Sequence, residues 1–527
     1  MKHTDSKIFV IALSLCVSML FAVAARADVK LASPFTSHMV LQREKPVPVW
    51  GTAEAGEQVT VEFAGQKVSV TADADGKWRV DLKPMEASAE SRTFTVTGSK
   101  TSKPIALNDV LVGEVWLASG QSNMDFSMSK KVKAFAGIRD EEKEIAAANY
   151  PLIRMFVGKY AKTYTPQSSV GGEWQVCNPE TVPAFSAIGY IFARDLQKEI
   201  NVPVGVIVES FGASTIESWI RRETLAADPK MKPILDGFDA KVKTFRAAPP
   251  AVVAPPPSED VSATNAAPRG TNAVAGGRRR ARGAADPAQD QHNPTVLFNG
   301  MIAPVIPFAI RGAIWDQGES IVGGGVALYP HLEETLIKDW RTLWGEGEFP
   351  FYIVQLAGLG NSGSNRPEVR EAQALGLVNV PNTGMAVTTD IGEAANVHAK
   401  DKQDVGDRLS RIALAKVYGR SVEFSGPMYE SMKVEGNSIR VSFSHADGLV
   451  ARDGSLKWFT IAGADGKFVP ADAKIDGSTV VVSSPEVSAP VAVRNAWVNF
   501  PDGGHLYNSA GLPAAQFRSD APKLSVE

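Results

Sequence analysis

Cysteine is almost absent from this chain: its 527 residues contain two, Cys16 and Cys177. Cys16 falls in an apolar N-terminal run. Removal of that run would leave one thiol, so no intramolecular disulfide and no cysteine-based metal site could be assembled. Stability must then come from packed cores. A charge excess of either sign is also missing. The 55 Lys and Arg against 58 Asp and Glu give a net charge of -3, which offers no reason to invoke a nucleic acid partner. Long hydrophobic runs are confined to residues 8–24. Lys2 and Lys7 flank that run on one side and Ala25-Arg26-Ala27 on the other. A basic flank, an apolar run and a small-x-small end read as an export signal over residues 1–27, giving a periplasmic or extracellular protein with no stable membrane insertion after cleavage. The competing reading is a membrane anchor, for which the run sits near the lower limit of ~17 residues.

The rest of the chain is long enough for two to four domains. Residues 28–108 carry short alternating runs separated by Gly and Asp turns, such as Gln58-Val59-Thr60-Val61-Glu62-Phe63 and Trp78-Arg79-Val80-Asp81-Leu82. This spacing predicts a β-sandwich. From Val110 the pattern changes to apolar strand-like runs at 110–118, 204–209, 313–316, 351–356 and 385–389. They alternate with helix-like stripes at 184–200, 332–344 and 402–418, so residues 109–423 read as an α/β unit with a mostly parallel sheet. A segment of about 246–290 interrupts it. It is rich in Ala, Pro and Gly, carries Gly277-Arg278-Arg279-Arg280-Ala281-Arg282, and is nearly free of large apolar residues. Such a composition predicts disorder, and the arginine run reads more simply as a solvated tether than as a polyanion site. Alternation returns over residues 424–527, a second β-rich domain.

In an open α/β sheet, ligands sit beyond the carboxyl ends of the strands. Four polar segments follow the strands here: Gly120-Gln121-Ser122-Asn123, Ser210-Phe211-Gly212-Ala213-Ser214-Thr215, Gln317-Gly318-Glu319-Ser320 and Asn396-Val397-His398. Acyl transfer needs a nucleophile, a base and oxyanion donors at separate points around one carbon. Ser122 follows a buried strand and a glycine, a good place for a nucleophile. A serine hydroxyl needs a base to take its proton. Of seven histidines, His3 lies in the leader, His292 abuts the insert, His331 starts a helix, and His38, His445 and His505 lie in β regions. His398 alone sits at the rim of the α/β unit, so elimination favours Ser122 with His398. A rim histidine can equally be a structural hydrogen bonder.

The blocks Gly120-Gln121-Ser122-Asn123-Met124, Ser210 to Trp219, Ile314-Trp315-Asp316-Gln317-Gly318-Glu319-Ser320 and Val397-His398 with Lys402-Gln403 resemble, in order, those of the sialate O-acetylesterase family, a branch of the SGNH/GDSL hydrolases. The likeness extends to Gly426-Pro427-Met428-Tyr429 and to Leu506 through Pro513. It implies an SGNH-type three-layer α/β/α catalytic domain with an N-terminal β-sandwich and a C-terminal β-rich domain. It implies Ser122 as nucleophile and His398 as base, with an oxyanion hole from the amides of Ser122 and Gly212 and the side-chain amide of Gln317. The implied reaction hydrolyses O-acetyl groups on a carbohydrate through an acetyl-serine intermediate, with no metal or cofactor. The sequence departs from the family pattern at three points. Many SGNH enzymes carry an aspartate two or three residues before the histidine, where Asn396 and Ala395 stand here; Asp390, Glu393, Glu319 or a backbone carbonyl could orient His398 instead. Asp316 and Ile321 replace the usual Tyr and Asn around the Gln-Gly-Glu-Ser block. Ala399 replaces the proline that usually follows the histidine. Three other readings compete: an acetyl xylan or xyloglucan esterase of the same fold, a lipase-like or thioesterase activity, and a degenerate, non-catalytic carbohydrate-binding protein.

Overall fold

A computed structural model describes residues 28–100, 103–247, 285–322, 324–360, 365–452 and 454–520. The expected export signal, 1–27, and the arginine-rich run lie outside the described residues.

The fold is organised on one long strand, β1 (Ile105–Gly120). From Val110 to Gly120 every residue of it is buried, which is why the run reads as continuously apolar rather than alternating. Its later half is central in a sheet built with β2 (Tyr150–Val157), β3 (Trp174–Cys177), β4 (Val204–Ser210), β5 (Gly312–Asp316), β6 (Phe351–Val354) and β7 (Thr383–Ala386). The strand order is β3-β2-β4-β1-β5-β6-β7. All neighbours are parallel except β3, which pairs antiparallel with β2. Helices α1 (Ala187–Ile200) and α4 (Lys402–Lys416) pack on each other over one face. There Trp116 meets Phe192 edge-on at 5.0 Å. Helices α2 (Tyr329–Trp344) and α3 (Arg366–Leu377) cover the other face, where Trp315 stands between Trp219 and Trp340. The apolar stripes of α1, α2 and α4 are core faces, as helical spacing requires. The chain is thus of the α/β class, with β-only regions at either end.

Three elements are not visible in the hydrophobic pattern. β2 carries Arg154 mid-strand, buried and ion-paired to Asp109 at 2.9 Å. β3 has four residues. α3 buries Arg366 and Arg370 and contains Pro367 and Gly376. Charged or helix-breaking residues on buried faces hide the periodicity on which pattern reading depends.

The N-terminal β region is not separated from the sheet at residue 108. The first half of β1 pairs with Ser88–Gly98 and Val40–Gln42, and its second half with β4 and β5. The expected boundary therefore runs through an unbroken strand. The cores merge as well: Phe35 packs on Phe308 at 5.2 Å. The C-terminal β region has its own core, including Ile439, Val441, Phe459, Ile461, Val480 and Val482. It docks through polar contacts, among them Gln516 Nε2 to Pro367 O at 2.6 Å and Tyr507 Oη to Asp390 Oδ2 at 3.0 Å.

The insert expected to end near 290 gives way to packed structure earlier. Pro287–Gln289 form a turn with Pro287 and Ala288 buried. Asn293 donates to Pro287 O at 2.7 Å, and Tyr164 donates to Asp286. Residues 285–290 belong to the folded unit because these side-chain hydrogen bonds and the burial of Ala288 tie them to it. No helix among the described residues is long and apolar enough to cross a membrane.

Candidate functional site

Ser122 stands on a turn that the end of β1 forces. Gly120 has φ 135°, and a Cβ on it would lie 2.1 Å from Asp316 O on β5. Only glycine fits there. Gln121 N donates to Asp316 O at 2.8 Å, Phe211 N to Gly120 O at 3.0 Å, and Asp125 N to Gln121 O at 2.9 Å. The turn is thereby tied to both neighbouring strands. Gln121 and Asn123 are buried while Ser122 between them is half-buried.

The loop after β4 comes directly to this serine. A Cβ built on Gly212 would lie 3.7 Å from Ser122 Cβ. The next residue, Ala213, holds φ 57°, a left-handed conformation that costs a non-glycine residue about 1–3 kcal/mol and tends to occur at functional sites. Among the described residues, neither the Ser122 N–H nor the Gly212 N–H has a protein acceptor.

Gln317 is in the same neighbourhood but its amide is committed elsewhere. Nε2 donates to Gln121 Oε1 and to Ser214 O, each at 3.2 Å, and Oε1 accepts from Tyr329 Oη at 2.8 Å. Both amide hydrogens of this buried side chain are used in bracing the three loops. As an expected oxyanion donor it therefore differs from the two backbone amides.

His398 lies on the loop between β7 and α4, half-buried, with its ring centroid 4.6 Å from that of Phe135. Burial, and then the charge of Lys402, hold its pKa below the ordinary value of 6.5. The neutral imidazole, the form that can accept a proton, is favoured. The other described histidines have ring partners: His38 with Asp109, His292 with Asp290, His331 with Asp228, His445 with Glu423 and His505 with Pro501 O. His398 has none among the described residues. Its backbone is held by the Asn396 side chain, with His398 N donating to Asn396 Oδ1 at 3.0 Å and Asn396 Nδ2 to His398 O at 2.8 Å.

None of the three candidate carboxylates bonds the His398 ring. Asp390 makes a two-pronged buried ion pair with Arg408, both bonds 2.7 Å, and accepts from Tyr507. Glu393 accepts from Asn396 Nδ2 at 3.1 Å and Lys400 N at 2.8 Å, shaping the loop. Glu319 accepts from Gln121 Nε2 and Asn123 Nδ2, directly beneath the serine turn.

Two groups of residues near the site carry no signal in a hydrophobic pattern. Lys402 Nζ, buried, donates to Asn123 Oδ1 at 2.7 Å. At the rim, Tyr160 packs edge-on against Phe211 at 4.9 Å and donates to Asp125 at 2.8 Å, and Lys133 pairs with Asp125 at 2.6 Å. Phe135 and Tyr160 are 40% and 54% exposed, so an aromatic ring faces solvent beside His398 and another beside Phe211. Asn123 and Lys402 do lie inside the sequence blocks already singled out. Their roles depend on a contact across 279 positions that no local pattern encodes.

A nucleophile candidate, an imidazole with no hydrogen-bond partner among the described residues and two free amides are the parts of an acyl-transfer site. No family model matches the chain. It is 26% identical to the sialate O-acetylesterases of Rattus norvegicus, over 93% of this chain and 94% of that one, and of Homo sapiens, over 93% and 92%. It is 32% identical to XAC1771, a carbohydrate acetylesterase from Xanthomonas citri whose crystal structure superposes with a TM-score of 0.77, covering 94% of this chain and all of that one. The chain belongs to the sialate O-acetylesterase family of carbohydrate esterases.

Proposed function

We propose that this protein removes O-acetyl groups from carbohydrates by a serine mechanism. Its catalytic unit is read as an SGNH-type α/β/α domain within residues 109–423, continuous with the N-terminal β region through the strand that crosses residue 108 and followed by a β-rich domain at 424–527. Export by residues 1–27 is part of the same reading. The observation that carries it is the meeting of the Ser122 and Gly212 loops, with two acceptor-free amides and an unpaired histidine at the same rim.

His398 takes the proton of Ser122 Oγ as that oxygen attacks the acetyl carbonyl. The negative charge that develops on the carbonyl oxygen is met by the N–H groups of Ser122 and Gly212. Collapse expels the sugar alkoxide, which takes the proton from the imidazolium. Water, deprotonated by His398, then attacks acetyl-Ser122, and acetate leaves with the serine restored. A carboxylate on the imidazole would steady the charged intermediate; its absence slows such a site without abolishing it. The exposed rings of Phe135 and Tyr160, with Asp125 and Lys133 beside Tyr160, suit a sugar, which has apolar faces and polar edges.

Acetate release from acetylated sialic acids, acetylated xylan and acetylated xyloglucan, alongside p-nitrophenyl acetate and butyrate, tests the reading. Acetate release from at least one glycan and preference for acetate over butyrate are expected. Turnover of no ester, or preference for longer acyl chains, contradicts it.

A further inference from the structure

Asn123, on the Ser122 turn, bonds the loop of His398 through its side chain. It follows Ser122, and its Nδ2 donates to Glu319 and, at 3.3 Å, to the carbonyl of Val397, the residue before His398. Its Oδ1 accepts from Lys402 Nζ at 2.7 Å. These partners leave one orientation for the amide. Lysine can only donate and an ionised carboxylate can only accept, so Oδ1 must face Lys402 and Nδ2 must face Glu319. A flipped amide would oppose donor to donor and acceptor to acceptor.

The surroundings fix this arrangement further. Glu319 also accepts from Gln121 Nε2, so it binds the residues on either side of Ser122. Lys402 lies over the ring of Phe126 at 4.7 Å. The charges acting on Lys402 are Asp316 and Glu319 at the end of β5, and Asp401 and Glu393 on its own side. Burial pushes the lysine down and these carboxylates oppose it; burial and Glu319 push Asp316 up while Lys402 opposes that. A cavity of about 20 Å³ beside Asn123, Asp316, Glu319 and Lys402 has room for roughly one water. The cluster is therefore too closed to hold a sugar.

We propose that Lys402 and Glu319 are positioning residues: they lock the amide of Asn123, which fixes the Ser122 turn against the His398 loop. This rests on the reading of Ser122 and His398 as the working pair. It accounts for a histidine without a carboxylate on its ring, since its loop is held from the serine side. Loss of such a brace displaces one partner from the other, and a misplacement of about 1 Å can cost on the order of 10²-fold in rate.

The test compares Lys402→Met, Lys402→Arg, Glu319→Gln and Asn123→Ala, with folding followed by circular dichroism and kcat, KM and the pH profile measured on one ester. Lys402→Met is expected to lower kcat on the order of 10²-fold with little change in KM. Lys402 lowers the His398 pKa, so removing its charge should move the acid limb of kcat/KM to higher pH. Lys402→Arg keeps the charge and should leave that limb in place while kcat falls. A Lys402→Met/Asn123→Ala double variant should be no slower than the slower single, because both act through one amide. Should Lys402→Met not fold, Glu319→Gln, which keeps the side-chain shape, carries the test through its loss of kcat. Wild-type kcat in folded Lys402→Met or Glu319→Gln, an unmoved acid limb in Lys402→Met, or fully additive losses in the double variant overturn the proposal. Ser122→Ala separates the two levels. If it is inactive and Lys402→Met is wild type, the positioning role alone fails; if Ser122→Ala is active, the reading of the site fails.

Discussion

Ser122 stands at the end of a strand paired along both edges, whereas His398 stands on a loop with no sheet neighbour. The serine turn owes its position to backbone: β4 and β5 flank it, and Gly120 is required by the closeness of Asp316 O. The histidine owes more of its position to side chains, through Asn396 and Glu393 on its own loop and Asn123 from the opposite one, beside two backbone bonds to the loop, Gly360 N to Ala394 O and Arg139 N to Lys400 O. Backbone pairing fixes a residue wherever the sheet forms. A loop held by amides and carboxylates can be loosened one side chain at a time, so the two halves should respond differently to substitution.

Removing either reacting group gives the largest expected effect. Ser122→Ala and His398→Ala should each lower kcat by on the order of 10³-fold or more, and the double variant should be little worse than either, because the two act as a unit. Steady-state kinetics on p-nitrophenyl acetate checks this. Independent losses that multiply would break the pairing.

Tyr160→Ala sharpens the comparison on the serine side. Its ring sits on Phe211, next to Gly212. Its loss should raise KM for acetylated oligosaccharides by roughly 3- to 10-fold more than for p-nitrophenyl acetate, the scale of one aromatic contact. An equal change on both substrates would remove Tyr160 from sugar contact.

Asp390→Asn addresses the histidine side. Asp390 and Arg408 are nearly fully buried, and stripping the charge from such a pair costs about 3 kcal/mol. A lowered melting temperature is therefore expected, with kcat far nearer wild type than that of Ser122→Ala. A loss of kcat as large as that of Ser122→Ala would make Asp390 the missing triad member.

The smallest effect expected is on pH dependence. His398 must be neutral to accept a proton, and burial with Lys402 holds its pKa below 6.5. Activity should thus persist as pH falls past 6.5 and be lost at lower pH, as the folded histidine protonates. An acid limb of kcat/KM above 6.5 would contradict that environment.

The legible parts of this molecule are those written as local periodicity. The buried strands at 110–118, 204–209 and 313–316 and the stripes of α1, α2 and α4 stand out because each buries an apolar face. The segments that carry Ser122 and Gly212 are legible because each follows such a strand, while the role expected of Gly212 comes from the family resemblance. β2 and α3 were hidden by Arg154 and Arg370, buried charges that break the pattern. The continuity of β1 through residue 108 was hidden because a strand can change neighbours without changing its own alternation. The amide of Gln317 and the Asn123–Lys402 contact were beyond reach for another reason. A polar side chain's partner is set by tertiary geometry, and a glutamine that donates to an oxyanion looks the same in sequence as one that braces two loops.

The central claim is that Ser122 is the acylated nucleophile. Its most direct measurement is treatment of the folded enzyme with a fluorophosphonate ester, followed by peptide mass spectrometry. One adduct is expected, on the peptide containing Ser122, with labelling abolished in Ser122→Ala and slowed in His398→Ala. An adduct on another serine, or none on an enzyme that still releases acetate, would contradict it.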